Sequence, residues 1–408
     1  MIVKEYKNKT VIKGMSLDEL KNWCHSQGQS EFRAEQIYQW MYKHGADNAE
    51  NMQNLSNNFR KIINDECIID TLKIEKIDKS DIEPTQKILF RTIDNHFIES
   101  VSMIDKDRHT ICISSQIGCN VDCDFCATGK MGLIRNLLTG EIIDQAIAIR
   151  RLVPEPITNV VFMGMGEPFL NYNRVINTAH ILHNHQGFGL GAKRITISTS
   201  GIVPKIEQLI EDGFKYKLAI SLNATEDHTR EKIMPVNRTW PIEKVIKSAS
   251  RFAARKGHNV MFEYVLLRDI NDTKEDAIRL ANMIHGIDCK LNIIPYNETG
   301  GKYRRPSIDV IETFLTILNP FAPHISEELY NMLGNEDTIV NLDWPIWDNS
   351  LVSSEVVTLV IQFNGKRRGE IEIEKDLNKT GVIAQVQKEK RFEKYFSEME
   401  IIKDIYVE

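Results

Sequence analysis

Three cysteines, Cys119, Cys123 and Cys126, stand within eight residues of the sequence. Their C-x3-C-x2-C spacing follows a strand-like run, TICISS, which places the three thiols on a loop. Three thiolates this close can bind three corners of a four-iron four-sulfur cluster, and the fourth iron then stays open for another ligand. A structural zinc ion normally needs four protein ligands, and no fourth Cys or His follows nearby. The spacing therefore favours a cluster over the alternative of a zinc site.

A second polar segment, MGMGEPFLNY, contains Gly166 and Glu167 after another strand-like run. The carboxylate of Glu167 suits the ammonium group of an amino-acid-like ligand. The alternative is a plain turn, because Gly164, Gly166 and Pro168 are common turn residues. The glycines do not form a dinucleotide-binding fingerprint, since its third spaced glycine is missing. The segment by itself leaves a ligand site and a turn as open alternatives.

One carboxylate, Glu99, falls in a predicted strand. The runs KILFRTI and HFIESVSMI are joined by the dipeptide Asp-Asn, which predicts a β-hairpin. The period of two places Glu99 on an otherwise apolar face, with Phe97, Val101 and Met103. A glutamate at an edge or in a salt bridge is one interpretation. A proton acceptor held in an apolar setting is the other.

Six strand-like runs between residues 110 and 296 must position these groups. The runs are TICISS, NVVFMG, RITIST, YKLAISL, VMFEYVLL and KLNIIP, and helical stretches separate them. Strands that alternate with helices form parallel sheets with right-handed crossovers. Because six units are too few for a closed eight-fold barrel, we predict an α/β fold built on a partial (βα)6 barrel. Its functional site is expected at the carboxyl ends of the strands.

The sequence predicts three domains. Residues 1–72 are predicted to form a small helical accessory domain, which begins with a capping box at Ser16 and Glu19. Residues 73–318 contain the leading hairpin and the barrel. Residues 319–408 are predicted to form a separate α+β tail, with a helix in PFAPHISEELYNMLG and a hairpin in VVTLVIQFNGKRRGEIEIEK.

Length and composition exclude several protein classes. The chain has 408 residues, of which 42% are hydrophobic and 26% charged, and this excludes a disordered or collagen-like chain. No apolar run of about 18 residues occurs, so we expect no membrane-spanning helix and no membrane partner. The N-terminus lacks the apolar core of a secretion signal, and an odd count of cysteines suits the reducing cytoplasm. The formal net charge of -6 is concentrated after residue 318 and leaves nucleic-acid binding open.

Together, these motifs resemble the radical S-adenosylmethionine RNA methyltransferases of dual specificity, which methylate carbon 2 of adenine in 23S ribosomal RNA and in transfer RNA. The resemblance covers residues 10–318 and rests on TICISSQIGCNVDCDFCATGKMGLIR, MGMGEPFLNY, ITISTSG, LAISLNA, IMPVN and NIIPYN, in that order. It implies a radical S-adenosylmethionine barrel with one four-iron four-sulfur cluster and S-adenosylmethionine as cofactors. Ribosomal methyltransferases that act on carbon 8 share this framework and remain an alternative.

The resemblance also implies roles for single residues. Cys119, Cys123 and Cys126 match the cluster ligands. Gly166 and Glu167 match the positions that bind the methionine end of S-adenosylmethionine. The remaining cofactor-binding positions match residues at or just beyond strand ends, namely Ser198, Ser221, Leu222, Asn223 and Asn297. Taken alone, each Ser or Asn of this set is an ordinary cap or turn residue.

Two catalytic positions of the family match Glu99, as the proton acceptor, and Cys112, which assists resolution of the protein–RNA adduct. By itself, a cysteine in a strand is more often part of the core. The implied reaction uses one S-adenosylmethionine to methylate a cysteine near the C-terminus. A second, cleaved reductively at the cluster, activates that methyl group for addition to adenine. The implied partners are ribosomal RNA, transfer RNA and an electron donor such as flavodoxin.

The C-terminal part of the sequence departs from this family. The methyl-accepting cysteine belongs to an ACGQL-like segment after the family's last helix, and no cysteine follows Cys289 here. From residue 319 onward, the motifs NPFAPHISEELYNMLG, DWPIWD, VIQFNGKRRGEI and IIKDIYV instead resemble the C-terminal part of leucyl-tRNA synthetase. No HIGH-like or KMSKS-like segment occurs, which excludes aminoacylation.

Three interpretations of this departure stay open. The chain could bind both cofactors without completing methyl transfer, or another thiol could replace the missing one. Alternatively, it is a non-catalytic fusion protein that binds RNA or transfer RNA and retains cluster and S-adenosylmethionine binding. In each case the barrel loses its closing element, so we expect poor packing around residues 316–322.

Overall fold

The computed structural model describes residues 5–6, 9–320, 323–335, 337–342, 356–363, 366–374, 379–392 and 395–396. The helices of this part are α1 (Leu17–Ser26), α2 (Glu31–Tyr42), α3 (Asn57–Glu66), α4 (Ala127–Lys130), α5 (Thr139–Leu152), α6 (Tyr172–His183), α7 (Val203–Glu211), α8 (Asp227–Ile233), α9 (Ile242–Ala253), α10 (Lys274–Ile284), α11 (Ile308–Leu318), α12 (Pro323–Met332) and α13 (Lys379–Lys388). None of the described helices is long and apolar enough to cross a membrane.

The strands are β1 (Glu5–Tyr6), β2 (Lys9–Val11), β3 (Cys67–Ile68), β4 (Leu72–Lys79), β5 (Thr85–Thr92), β6 (Phe97–Asp105), β7 (Arg108–Cys112), β8 (Gln116–Gly118), β9 (Leu133–Asn136), β10 (Asn159–Phe162), β11 (Ile195–Thr199), β12 (Lys217–Ser221), β13 (Val260–Leu266), β14 (Cys289–Pro295), β15 (Val356–Phe363) and β16 (Lys366–Glu374). Two compact units divide between Leu342 and Asp343. Each unit is described by itself.

The first unit is built on a nine-stranded sheet in the order β14-β13-β12-β11-β10-β7-β6-β5-β4. The six strands from β14 to β7 in this order are parallel, with Val160 of β10 opposite Ile111 of β7 and Ile195 of β11. Buried parallel strands need apolar residues, and Ile111 and Ile195 are fully buried. The six predicted strands and the partial (βα)6 barrel are confirmed.

Helices connect successive parallel strands. α5 precedes β10, α6 precedes β11, α7 precedes β12, α8 and α9 precede β13, and α10 precedes β14. The apolar faces of these helices pack on one side of the sheet and supply core residues such as Ile147, Ile206 and Phe252. Each helical crossover brings the chain back to the end of the sheet where the previous strand began. The carboxyl ends of all six parallel strands therefore lie at the same end of the barrel.

Three antiparallel strands, β4, β5 and β6, extend the sheet beyond β7. The predicted hairpin is confirmed as β5 and β6. Its turn contains Asn95 with φ 63°, a left-handed conformation that asparagine adopts more readily than most residues. The extension places β6 directly beside the first barrel strand.

The N-terminal part of this unit is helical, as predicted. Ser16 and Glu19 form the capping box at the start of α1, because the Glu19 N–H donates to the Ser16 hydroxyl and the Ser16 N–H donates to Glu19 Oε2. A small sheet of β1, β2 and β3 also lies here, and the sequence did not predict it. These strands have two or three residues each, too few for a period of two to be recognisable.

The junction near residue 318 is packed more tightly than predicted. Leu315, Ile317 and Leu318 are exposed by 1%, 4% and 1%, so the expectation of poor packing is wrong for residues 316–318. α12 contacts α11 and β14, and its Tyr330 joins the barrel core. The side-chain oxygens of Asn319 and, in α12, Ser326 are buried without a hydrogen-bond partner among the described residues. The apolar side chains of the described junction residues are therefore well packed, whereas two buried side-chain oxygens lack hydrogen bonds.

The second compact unit contains the predicted C-terminal hairpin, β15 and β16, which pair antiparallel. The turn predicted at residues 364–365 lies outside the described residues. Ile371 and Ile373 of β16 pack against Val382 and Val386 of α13. Because this small core is separate from that of the barrel, the second unit begins at residue 343, and residues 319–342 of the predicted tail belong to the first unit.

A buried ion pair joins the N-terminal part to the barrel. Lys13 Nζ lies 3.0 Å from Asp144 Oδ1 of α5, and their side chains are 0% and 4% exposed. The second oxygen of Asp144 accepts hydrogen bonds from the Thr71 N–H and hydroxyl, at 2.8 and 2.6 Å. Asp144 thereby connects three segments that are distant in sequence. One of them is Thr71, the residue that directly precedes β4.

We expect Asp144→Asn to lower the free energy of unfolding by about 3–5 kcal/mol, because it leaves the Lys13 ammonium buried without its counter-charge. Chemical denaturation of the full chain measures this change. Asp78→Asn is the matched control, since Asp78 pairs with Lys76 on the surface with side chains 44% and 66% exposed. The control is expected to leave stability nearly unchanged, because an exposed ion pair contributes little. Equal effects of the two substitutions would contradict this role of Asp144.

Candidate cofactor site

The cysteine loop begins where β8 ends. Cys119 follows Gly118, the last residue of β8, and Cys126 is the residue that precedes α4. Gly118 has φ 75°, and a Cβ atom on it would lie 1.7 Å from the Gly132 carbonyl oxygen, so only glycine fits. The Cys119 N–H donates to that same carbonyl at 3.1 Å. β8 and β9 therefore fix the start of the loop.

The three thiols of this loop are close enough to influence one another. Burial raises the pKa of Cys119 to about 11, and the nearby Glu167 and Cys126 raise it too. Burial raises the pKa of Cys123 well above its usual range, with Cys126, Cys119 and Glu167 adding to the effect. Without a metal, the thiols of Cys119 and Cys123 hold their protons at neutral pH. A bound metal centre favours the thiolates and releases those protons.

No three Cys, His, Asp or Glu side chains among the described residues converge on a point that one metal ion could occupy. A mononuclear site needs such convergence, because all ligands bind the same ion. A four-iron four-sulfur cluster does not, since each thiolate binds a different iron and the cluster keeps the sulfurs apart. The donor set of three neighbouring thiols on one loop fits the cluster.

Glu167 lies at the carboxyl end of β10, and only 4% of the residue is exposed. Its carboxylate accepts hydrogen bonds from the Ser200 N–H at 2.7 Å and the Phe169 N–H at 3.0 Å. Burial raises the pKa of Glu167, although both of these N–H donors lower it. Gly166 before it has φ 100°, and a Cβ there would lie 2.5 Å from the Gln116 side chain. A buried carboxylate of this kind is stabilised by a cation, such as the ammonium group of an amino acid.

The other predicted cofactor residues are found at neighbouring strand ends. Ser198 lies in β11 and Ser221 is the last residue of β12, and these positions are buried and half-buried. Leu222 is fully buried; its N–H donates to the Glu263 carbonyl and its own carbonyl accepts from Arg230. Asn297 is exposed just beyond β14.

Asn223 is the one non-glycine residue among the predicted cofactor residues in the left-handed region, with φ 57°. Its side-chain oxygen accepts from the Val265 N–H at 2.8 Å, and its side-chain nitrogen lies 3.2 Å from Met234 Sδ. The side chain of Asn223 is thus occupied in holding the loop after β12. Leu222 and Asn223 therefore shape this edge of the site through fixed backbone, whereas the two serines present hydroxyl groups.

Comparisons with known proteins agree with this geometry. The family described as "Radical SAM superfamily" matches residues 113–281, and "Ribosomal RNA large subunit methyltransferase N-terminal domain" matches residues 10–69. The "Dual-specificity RNA methyltransferase RlmN" of Geotalea uraniireducens is 41% identical over 307 residues, which cover 75% of this chain and 88% of that protein. The chain belongs to the dual-specificity RNA methyltransferase family.

Other members of the dual-specificity RNA methyltransferase family give the same picture. The protein of that name from Geobacter sulfurreducens is 42% identical over 304 residues, covering 74% of this chain and 83% of its own length. The crystal structure of a radical SAM methyltransferase from Sphaerobacter thermophilus superposes with a TM-score of 0.73 at 39% identity, over 76% of this chain and 92% of that one. Family membership makes the cofactors a four-iron four-sulfur cluster and S-adenosylmethionine.

The C-terminal part has a different relationship. The family described as "Anticodon-binding domain of tRNA ligase" matches residues 298–383. This agrees with the predicted resemblance of the tail to a tRNA synthetase. The match begins 21 residues before the predicted boundary at 319, so it includes α11, which the resemblance had assigned to the methyltransferase part. α11 is thus the element that both patterns share.

Within the methyltransferase part, Cys112 shares one face of the sheet with Glu99. Cys112 of β7 is paired in register with Val101 of β6 and Val161 of β10, and Glu99 alternates with Val101. Burial raises the pKa of Cys112 to about 12, and the nearby Glu263 carboxylate raises it too. Cys112 is therefore a protonated thiol in the barrel.

The surroundings of Glu99 differ from one of the two predictions. Glu99 Oε1 lies 3.2 Å from Lys87 Nζ, with the two side chains 45% and 48% exposed. The apolar setting is wrong, and the salt-bridged interpretation is confirmed. The lysine belongs to β5, the hairpin partner, so only the strand register could have revealed it.

Two charged residues of the barrel were missed by the sequence analysis. Glu263 of β13 is paired in register with Ser221 and with Asn292, whose side chain hydrogen-bonds to it; burial raises the pKa of Glu263. Arg230 of α8 is fully buried and contacts the ends of β11 and β12. Glu263 stands in the predicted strand VMFEYVLL, where a charged residue among apolar ones was the available signal. Arg230 has no comparable signal, because its burial depends on tertiary contacts.

We expect Cys119→Ser, Cys123→Ser and Cys126→Ser each to lose most of the iron and sulfide that the unsubstituted chain takes up after anaerobic reconstitution, since each removes a cluster ligand. Iron and sulfide assays, with the visible absorption spectrum, measure this. Cys289→Ser is the matched control, because Cys289 starts β14 at the opposite end of that strand from the cofactor side. Full iron content in any of the three loop variants would contradict the assignment of that cysteine.

Proposed function

We propose that this chain binds a four-iron four-sulfur cluster through Cys119, Cys123 and Cys126 and binds and cleaves S-adenosylmethionine beside it, as an RNA adenine methyltransferase whose methyl-transfer step is impaired. The observation that supports this best is the position of Glu167. Its carboxylate is buried at the end of β10 and close enough to Cys119 and Cys123 to raise the pKa of both thiols. A ligand whose ammonium group reaches Glu167 therefore has its other polar groups beside the cysteine loop.

The cluster, when bound, supplies the electron for reductive cleavage of S-adenosylmethionine. The chain's own residues bind S-adenosylmethionine and orient it. Glu167 attracts the ammonium group, and the hydroxyls of Ser198 and Ser221 offer hydrogen bonds from two neighbouring strand ends. Gly166 lets the backbone approach closely, and Leu222, Asn223 and Asn297 complete the predicted set. The burial of Glu167 and Ser198 excludes water from their part of the site, which strengthens the electrostatic contacts made there.

In this proposal, Cys112 and Glu99 act on the RNA base, as the residue that resolves the adduct and as the proton acceptor. Both lie on one face of β6 and β7, opposite to the face that carries Ile98 and Ile111. The thiol of Cys112 carries its proton at neutral pH. Glu99 is the proposed proton acceptor, and its ion pair with Lys87 is exposed and therefore weak. The adenine position is carbon 2, as the sequence resemblance implies.

The substrates are 23S ribosomal RNA and transfer RNA. Two similarities support this: the curated relatives are called dual-specificity RNA methyltransferases, and the N-terminal part matches the corresponding domain of a large-subunit ribosomal RNA methyltransferase. The seven cysteines all lie in described residues and are free thiols, which suits work in the cytoplasm with a one-electron donor such as flavodoxin.

Methyl transfer is the step that the C-terminal part impairs. α12 follows α11 after four residues and occupies the side of β14, and no cysteine occurs between Cys289 and residue 408. A thiol that accepts a methyl group and carries it to the base is thus missing from the segment in which the family has it. The second candidate, a fusion protein that binds RNA without catalysis, is favoured by the same absence and by the anticodon-binding match.

We expect the reconstituted, reduced chain to release 5′-deoxyadenosine from S-adenosylmethionine but to form no 2-methyladenosine in ribosomal or transfer RNA. The reason is that the cofactor site is intact while the methyl carrier is absent. Liquid chromatography with mass spectrometry measures both products, and Cys123→Ser is the control that should yield neither. Abundant 2-methyladenosine would contradict the impaired methyl transfer. Absence of 5′-deoxyadenosine would contradict the cofactor assignment.

A further inference from the structure

Arg230 is the largest fully buried side chain among the described residues, and its guanidinium group has no contact with solvent. An arginine is rarely buried, because removing its charge from water is unfavourable unless other groups replace the lost hydration. Burial lowers the pKa of Arg230 to about 10, which still leaves it charged at neutral pH. The protein therefore maintains a desolvated positive charge at this position.

The partners of this charge are mainly backbone carbonyls at strand ends. Arg230 Nε donates to the Leu222 carbonyl at 2.8 Å, and Nη2 donates to the carbonyls of Ser200 and Ser221 at 2.7 and 3.1 Å. Nη1 donates to Asn237 Oδ1 at 3.0 Å and to the Trp240 carbonyl at 3.4 Å. One guanidinium thus holds the ends of β11 and β12 against the chain that follows α8.

No carboxylate in the described part of the chain forms an ion pair with Arg230, although such a partner is the usual companion of a buried arginine. Asp227 contributes only at longer range, and its own oxygen accepts from the Asn237 side chain and the Ile242 N–H. The positive charge of Arg230 is consequently available to other negative groups nearby.

The first such group is Glu167. The Ser200 N–H donates to Glu167 Oε2 at 2.7 Å, while the Ser200 carbonyl accepts from Arg230. A single residue therefore lies between the buried carboxylate and the buried guanidinium and is hydrogen-bonded to both. Such a chain of polarised bonds is stronger in a low-dielectric interior than in water.

The second group is the cysteine loop. The Asp124 N–H, inside this loop, donates to the Ile233 carbonyl at the end of α8 at 2.8 Å. Arg230 stands one helical turn earlier on the same helix. The helix that carries this buried positive charge is thus hydrogen-bonded directly to the cysteine loop.

We propose that Arg230 is a positioning residue for S-adenosylmethionine and the electropositive partner of the cluster. Its guanidinium fixes Ser200, Ser221 and Leu222, thereby aligns the Glu167 carboxylate, and offsets the negative charge of the thiolate-bound cluster. Arg230 contacts neither cofactor directly in this arrangement. This role of Arg230 rests on the proposed cofactor site, in which it affects both S-adenosylmethionine binding and the cluster.

Two substitutions separate geometry from charge. Arg230→Gln keeps some donor capacity but removes the charge, and Arg230→Lys keeps the charge but loses the branched set of bonds. Arg238→Gln is the matched control, because Arg238 lies eight residues further on, is exposed and pairs with Glu231 at the surface. Each full-length chain is reconstituted anaerobically. Titration calorimetry gives the dissociation constant of S-adenosylmethionine without reductant, and a redox titration followed by electron paramagnetic resonance gives the cluster midpoint potential.

We expect Arg230→Gln to weaken S-adenosylmethionine binding by about tenfold or more, since hydrogen bonds to a buried charged group are lost. It should also make the midpoint potential more negative, because reduction adds an electron that a nearby positive charge stabilises. Arg230→Lys should weaken binding but leave the potential unchanged. Arg238→Gln should change neither quantity.

Several results would overturn the inference. One is Arg230→Gln with the binding and potential of the unsubstituted chain. If that variant fails to fold in a thermal melt, Arg230→Lys decides, and unchanged S-adenosylmethionine binding by this variant overturns the positioning role. A cluster potential that shifts equally in the lysine and glutamine variants overturns the electrostatic role. If the unsubstituted chain takes up no iron, the proposed cofactor site is wrong, and the inference falls with it.

Discussion

The structure depends on how the buried carboxylate of Glu167 is stabilised. A carboxylate removed from water needs hydrogen bonds and a nearby positive charge, and Glu167 receives N–H groups from Ser200 and Phe169. Those donors are in place only because β10 and β11 run parallel and end at the same side of the barrel. The positive charge comes through Ser200 from Arg230. α8, which carries Arg230, is hydrogen-bonded to the cysteine loop, so one electrostatic requirement orders the ends of β10 and β11 and the position of α8.

The C-terminal part packs against the barrel although its sequence resembles a different family, the anticodon-binding domain of tRNA ligases. Apolar packing is tolerant of sequence, and residues of α11 and α12 join the barrel core. Hydrogen bonding is less tolerant: the side-chain oxygens of Asn319 and Ser326 stay buried without partners in the described residues, at about 1–3 kcal/mol each. A methyl-accepting thiol is more demanding still, since no other side chain replaces its nucleophilicity. The segment therefore preserves the packing of the fold, whereas it contains no cysteine that could accept a methyl group.

Much of this fold could be predicted from the sequence, because the barrel strands are continuous apolar runs and the cluster cysteines are adjacent along the chain. The capping box at Ser16 was likewise a local pattern. What could not be predicted depends on distant contacts. The ion pair of Glu99 requires the register of β5 and β6, and the burial of Arg230 requires α8 to close over two strand ends. The small sheet of β1, β2 and β3 is too short to leave a periodic signal.

Cys119, Cys123 and Cys126 are proposed to hold a four-iron four-sulfur cluster beside the buried carboxylate of Glu167. Electron paramagnetic resonance of the reduced, reconstituted chain, recorded before and after addition of S-adenosylmethionine, tests this proposal most directly. The account predicts the signal of a reduced four-iron cluster that changes shape and g values when S-adenosylmethionine binds the open iron. A four-iron signal unaffected by saturating S-adenosylmethionine, or no cluster signal at all, would contradict it.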